Sequence, residues 1–256
     1  MQIYVCVKQV PDTAASITLL GPRIYDDTVK FVMNPFDEFA VEQAIQVKAQ
    51  TGKGEVVIVT VGRESAESMV RTALAMGADR GILVIADIRQ IDSITTGRAL
   101  HQAIARDGSP DLIFTGKQSV DSEGMQIPYR LAAAFNMPIV NEVVRFLLKN
   151  ETVTVEREIG SGIREAIDLT LPCVIGATKG LNEPRYTRLP EIMKARTKEL
   201  KKIDINELKL APAAGKLELL ELFPEAERGQ AVMLQGSVQE MTRQLIDLLK
   251  NNEQIL

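Results

Sequence analysis

DLIFTGKQSVDSEGMQIPYR, residues 111–130, passes from an apolar strand to a helix through a polar loop bounded by glycines. Leu112-Ile113-Phe114-Thr115 predicts a short buried strand, and Gly116 its turn. Lys117, Gln118, Ser119, Val120, Asp121, Ser122 and Glu123 follow, then Gly124 and a helical pattern running through Tyr129, Leu131 and Phe135. A strand that hands over to a helix in this way leaves unpaired backbone N–H groups at the helix start, where the helix dipole also favours negative charge. Such a turn is a seat for phosphate. Lys117 can neutralise the phosphate, while Asp121 or Gln118 can hydrogen-bond a ribose or a base edge. The stretch is neither a Walker loop nor GxGxxG, so by itself it reads as an ordinary βα turn.

The elements upstream change that balance. Residues 3–7 form a continuous apolar run, as expected of a strand buried on both faces of a parallel sheet. Pro11 ends it, and residues 14–33 read as a long excursion with a short β-ribbon between residues 16–20 and 29–32. Asn34-Pro35-Phe36-Asp37-Glu38 predicts a helix start with Asn34 as N-cap, and the helix runs to Gly52. Strands at 56–61, 82–85 and 112–115 alternate with helices at 64–76 and 92–105. Alternation at a spacing of roughly 25–30 residues means βαβ units and a parallel sheet, in which ligands sit beyond the carboxyl ends of the strands. Those ends are residues 8–12, 61–63, 86–87 and 116–124, and three of the four carry a glycine, a proline or a cation suited to an anionic nucleotide.

Downstream of Pro138, alternating runs at 143–148, 152–158 and 165–171 predict an antiparallel meander at the sheet edge, followed by one more apolar strand at 173–177. Leu189-Pro190 opens a short basic helix through Lys202. Residues 203–227, broken by Pro212, Gly215 and Pro224, predict an extended arm, and residues 237–249 an amphipathic helix that packs on a partner chain or on its own core. The fold class is therefore α/β, with a nucleotide-binding domain over 1–202 and an arm plus C-terminal helix over 203–256.

Composition narrows the function. The chain of 256 residues carries a net charge of −4, which argues against nucleic-acid binding. No apolar run approaches the roughly 20 residues of a membrane span, and Met1-Gln2-Ile3-Tyr4 enters a strand directly, which predicts a cytoplasmic protein without membrane insertion. Cys6 and Cys173 lie inside apolar strands and His101 on a helix, so a zinc site or a Cys/His dyad has almost no material.

VKQVPD (7–12), NPFDEFAVEQA (34–44), RTALAMGADR (71–80), GKQSVD (116–121), VEREIGSG (155–162) and NEPRYTRLPEIMKAR (182–196), in this order and spacing, resemble the β subunit of electron transfer flavoprotein. The resemblance runs to about residue 202. It implies an adenine-nucleotide α-hydrolase-like (Rossmann-like) domain that catalyses no bond-making step. It further implies an electron carrier that pairs with an α subunit holding the redox-active FAD, takes electrons from acyl-CoA or related flavin dehydrogenases and passes them to a membrane quinone oxidoreductase. By position, the contacts to an AMP, or to a second FAD in electron-bifurcating members, would be Cys6, Asn34, Pro35, Phe36, Asp37, Val61, Gly116, Lys117, Gln118, Ser119, Val120, Asp121, Ser122, Glu123, Gly124, Met125, Gln126 and Ile127. Thr13 and Phe36 would lie near the α-subunit flavin, and Leu189 would anchor the dehydrogenase. NPFDE looks like single-flavin members and VKQVPDT like bifurcating ones, so AMP and FAD both stand as alternatives. An ATP-using enzyme on the same fold needs an SGG-type loop after the first strand, where this chain has Lys8-Gln9-Val10-Pro11. A universal-stress-type sensor lacks the meander and arm.

Overall fold

The computed structural model of the chain describes residues 1–87, 91–210, 219–224, 231 and 233–251. Its central strand is β1 (Gln2–Cys6), in which Ile3, Tyr4, Val5 and Cys6 are all buried. Side chains alternate across a strand, and Ile3 and Val5 join one core cluster while Tyr4 and Cys6 join another. A strand with no polar face needs cover on both sides. The chain continues through β2 (Gln9–Pro11), β3 (Leu19–Gly21), β4 (Ile24–Tyr25), β5 (Phe31–Met33), α1 (Pro35–Thr51), β6 (Glu55–Gly62), a 3-10 turn at Glu64–Ala66, α2 (Glu67–Met76) and β7 (Arg80–Ile85). Then come α3 (Ser93–Asp107), β8 (Leu112–Gly116), α4 (Gln126–Phe135), β9 (Ile139–Lys149), β10 (Thr152–Glu158), β11 (Arg164–Thr170), β12 (Cys173–Ala177), α5 (Leu189–Ala195), β13 (Leu200–Asp204) and α6 (Val238–Asn251).

Among the described residues, nine strands make one sheet in the order β11-β10-β9-β12-β8-β1-β6-β7-β13. Its strands from β9 to β13 in that order pair in parallel, and β10 and β11 add the antiparallel meander. Helices α1, α2 and α5 contribute to the core on one face, α3 and α4 to the core on the other. Burying side chains such as Phe114 and Ile113 on opposite faces of β8 contributes about 1.5–3 kcal/mol each. The chain leaves β1 for α1 on one face and leaves β8 for α4 on the other. Because β1 and β8 are neighbours, their carboxyl ends open the crevice characteristic of a switch point.

Several elements differ from the sequence-based expectation. The excursion forms two ribbons, not one: β2 pairs with β5, and β3 with β4. Pro11 does not end pairing but closes the β2 ladder opposite Phe31, where a missing N–H is tolerated at a strand end. The basic helix stops at Ala195, and β13 pairs with β7 at the sheet edge remote from the meander, Leu200 opposite Gly81. The arm therefore begins later than residue 203, because the sheet holds the chain to Asp204 and a 3-10 turn follows at Ile205–Leu208. Part of the expected arm, 211–218 and 225–227, lies outside the described residues.

Candidate functional site

Asn34 and Asp37 occupy the first turn of α1, at the carboxyl end of β1. Asn34 sits at the N-cap position but makes no side-chain cap bond. Its Nδ2 donates instead to Asp37 Oδ1 (2.9 Å) and to the Gln118 carbonyl (2.9 Å), and its Oδ1 accepts from the Val120 N–H (3.1 Å). Asp37 Oδ2 accepts from the Lys8 N–H (2.7 Å), and Oδ1 also accepts from the Gly116 N–H (3.0 Å). One buried carboxylate thus ties the last residue of β8 to Lys8, two residues beyond β1. Burial pushes the Asp37 carboxyl up to about 7, against the bonds from Asn34, Lys8 and Gly116 that favour its charged form.

Gly116 is needed for this approach. A Cβ there would run into Asp37 Oδ1 and come within 2.8 Å of Phe36 Cβ and 3.1 Å of Asn34 Nδ2. The sequence-based role of this glycine is the turn from the strand into a phosphate seat. The structure supplies a different one, the packing of β8 against the first turn of α1.

The loop from Lys117 to Met125 lies over this brace. Lys8 Nζ reaches Asp121 Oδ1 (2.7 Å), Ser119 Oγ (3.2 Å) and Ser122 Oγ (3.4 Å). Lys117, expected to neutralise a phosphate, is directed elsewhere: its Nζ donates to Glu142 Oε1 (3.1 Å) and stands 5.4 Å from the centre of the Phe36 ring. Glu142 has a left-handed backbone, φ 63°, at the irregularity in β9. Lys8 is therefore the loop-facing cation, and it was not among the expected contacts. Its position at the end of the first strand was the signal that could have found it.

Cys6 is buried and Val61 packs against the same cluster on the α3/α4 side, whereas Asn34, Pro35 and Phe36 stand at the start of α1, which packs on the other face. Burial pushes the Cys6 thiol well above its ordinary range, with Asp37 adding to the effect, and it raises Cys173 to about 12. Ser122, Glu123 and Gly124 are exposed. Helix α4 starts from Met125, which has φ 50°, and Pro128 within its first turn carries no N–H. Met125 and Gln126 also line a groove of about 710 Å³ between α3 and α4 that extends to His101, whereas Ile127 packs inward. Thr13 is exposed just beyond β2. Leu189 lies far along the chain at the start of α5 and is 72% exposed, close in sequence to Tyr186 at 99%. No cluster of metal-ligating residues occurs among the described residues, and no described helix is long and apolar enough to cross a membrane.

Comparison with known proteins agrees with this architecture. Residues 23–208 match the family described as the electron transfer flavoprotein domain. Over the full length of both chains, the sequence is 34% identical to the electron transfer flavoprotein subunit beta of Bacillus subtilis. It is 38% identical to the mitochondrial subunit of Oryza sativa subsp. japonica, again over the full length of both. The human subunit is 34% identical, with 98% of this chain and 97% of that one covered.

Proposed function

Because the chain belongs to the electron transfer flavoprotein β-subunit family, we propose that it is the carrier subunit of a heterodimer whose α subunit holds the redox-active FAD. The heterodimer accepts electrons from flavin dehydrogenases of the acyl-CoA type and delivers them to a quinone-linked oxidoreductase at a membrane. The chain itself makes and breaks no covalent bonds. Its tasks are to hold a nucleotide, to complete the surroundings of the α-subunit flavin through Thr13 and Phe36, and to dock the dehydrogenase through Leu189.

The nucleotide is AMP, bound where Asn34 and Asp37 bring the ends of β1 and β8 together. The brace carries this reading, since it fixes a polar loop against two strand ends at a switch point. A lysine ammonium and two hydroxyls converge at Lys8, Ser119 and Ser122, with the Asp121 carboxylate 2.7 Å from the same ammonium, so a monophosphate seated there takes the place of that carboxylate. Cys6 and Val61 offer strand-end backbone to the adenine. AMP has no redox chemistry to contribute and acts as a structural ligand, whereas an FAD in its place would add a second two-electron centre. Acid extraction of the purified heterodimer with chromatography of the supernatant distinguishes them. One FAD and one AMP per heterodimer supports the reading, and two FAD overturns it in favour of a bifurcating carrier. Flavin bands in the near ultraviolet and blue, bleached on adding a dehydrogenase with its substrate, test the carrier role.

A further inference from the structure

Between β12 and β13 the chain crosses the face of α1 and α2 as a strap whose ends are fastened and whose middle is exposed. At the leading end Asn182 Nδ2 donates to the Phe39 carbonyl (3.0 Å). Arg185 Nε and Nη2 then donate to Glu42 Oε2 (2.7 Å) and Oε1 (2.9 Å). At the trailing end Arg71 Nη1 donates to the carbonyls of Ala195 (2.9 Å) and Lys198 (2.6 Å), and Lys198 Nζ donates to those of Leu74 (2.9 Å) and Ala78 (2.5 Å). Between these fastenings Tyr186, Leu189, Ile192 and Met193 are all exposed. The strap is therefore held by polar side chains reaching to and from α1 and α2, together with Leu181 and Ala195 packing on the core at its two ends, and its exposed apolar groups take no part in fixing it.

Glu42 is the unusual member. It is 3% exposed, on the inner side of the strap, while the Arg185 side chain above it is 44% exposed. Burial alone would raise the Glu42 carboxyl, but the bonds from Arg185 and Gln46 outweigh it and hold the group below its ordinary range. A buried carboxylate gripping a two-pronged guanidinium fixes direction as well as distance. We infer that Glu42 is a positioning residue for partner docking: through Arg185 it holds the strap in the shape that presents Leu189. The inference rests on the docking role proposed above for Leu189.

A loop already held in its bound shape does not have to be ordered on association. Loss of the fastening therefore weakens encounter with the dehydrogenase and leaves transfer within the formed complex intact, which is an effect on KM and not on kcat. The test uses the heterodimer as wild type and as Glu42→Gln, Arg185→Gln, Arg185→Lys and Leu189→Ala. Amide hydrogen exchange over residues 185–196 is read on the heterodimer without a dehydrogenase, and steady-state kinetics are read with one. Glu42→Gln and Arg185→Gln are expected to speed exchange in the strap and to raise KM about tenfold, with an unchanged flavin spectrum. Arg185→Lys keeps the charge but not the two-pronged bond and is expected to fall between them and wild type. If Glu42→Gln does not fold, Arg185→Gln at the exposed end of the pair carries the test. Unchanged exchange, or faster exchange with unchanged KM, overturns the inference when Leu189→Ala itself raises KM. An unchanged KM for Leu189→Ala overturns the docking reading and the inference with it.

Discussion

Asp37 accepts three N–H donors while it is withdrawn from water, and the two effects oppose one another. With its folded-state pKa raised to about 7, Asp37 holds a proton in the folded chain that the unfolded chain has already released above about pH 4. Its stabilising contribution is complete below that window and is lost as pH rises through about 7. Asp37→Asn cannot titrate. From about pH 5 to about pH 8 the melting temperature of the wild-type heterodimer is expected to fall relative to that of Asp37→Asn, and a constant difference would show that this carboxyl titrates elsewhere. Gly116→Val is expected to cost about 1–3 kcal/mol through overpacking against Phe36 and Asp37. Because that collision is internal, the variant should melt several degrees lower even after its nucleotide is stripped, which differential scanning calorimetry on the stripped protein checks. Leu189→Ala carries the opposite signature. A leucine buried on docking is worth about 1.5–3 kcal/mol, so electron transfer with the dehydrogenase should slow by about tenfold or more at limiting carrier. At 72% exposure its loss should leave the melting temperature of the heterodimer unchanged. A lower melting temperature with normal transfer would make Leu189 a fold residue.

Helix α1 supplies the brace between the ends of β1 and β8 from its first turn, with Asn34 and Asp37, and the strap fastening further along, with Glu42. The helix itself was legible in the sequence, because Asn34-Pro35 followed by acids marks a helix start and Gly52, at φ 67°, closes it. What Asn34 does was not legible. An asparagine at that position reads as a cap, and only the fold brings the Gln118 carbonyl and Val120 N–H within its reach. The parallel strands and the meander could also be read, since their apolar runs or alternation are long enough to show a period. Strand β13 could not: Leu200-Lys201-Lys202-Ile203-Asp204 has charge on both faces, and it becomes a strand through pairing with β7. The three-residue strands β2 and β5 likewise carry too few side chains to show alternation. For the site, the switch-point rule pointed to the loop and strand ends, but it could not tell which lysine faces the loop. The left-handed Glu142 in β9, which draws Lys117 away, belongs to another part of the chain. The amphipathic α6 has no buried residue, although Val238, Leu245 and Ile246 lie on it. We propose that it packs on the α subunit. A chain ending at Gly236 is then expected to keep the circular-dichroism spectrum of the sheet domain and to lose affinity for the α subunit in a titration by calorimetry.

At the scale of the whole molecule, apolar side chains remain outside. Ile17, Leu20 and Ile24 are exposed on and beside the β3–β4 ribbon, and the arm lies against that ribbon through Leu222 N–H to the Pro22 carbonyl (2.7 Å), with Leu220 and Phe223 also exposed. A soluble monomer rarely shows such a patch together with an amphipathic helix that buries none of its residues. Expressed without its α subunit, the chain is expected to self-associate. A single monomeric boundary in analytical ultracentrifugation at micromolar concentration would contradict that. The strap has a further consequence, in the order of folding. It joins β12, deep in one half of the sheet, to β13 on the opposite edge, where Leu200 pairs with Gly81 across a long span of sequence. Contacts so distant in sequence close late, because the loop entropy must be spent before the pairing rewards it. Until β13 arrives, β7 has an open edge and α1 and α2 have nothing to fasten, so Leu189 takes its exposed place at the start of α5 only on a chain whose sheet is finished. On the docking role proposed for Leu189, a dehydrogenase would then engage only carriers that have completed folding.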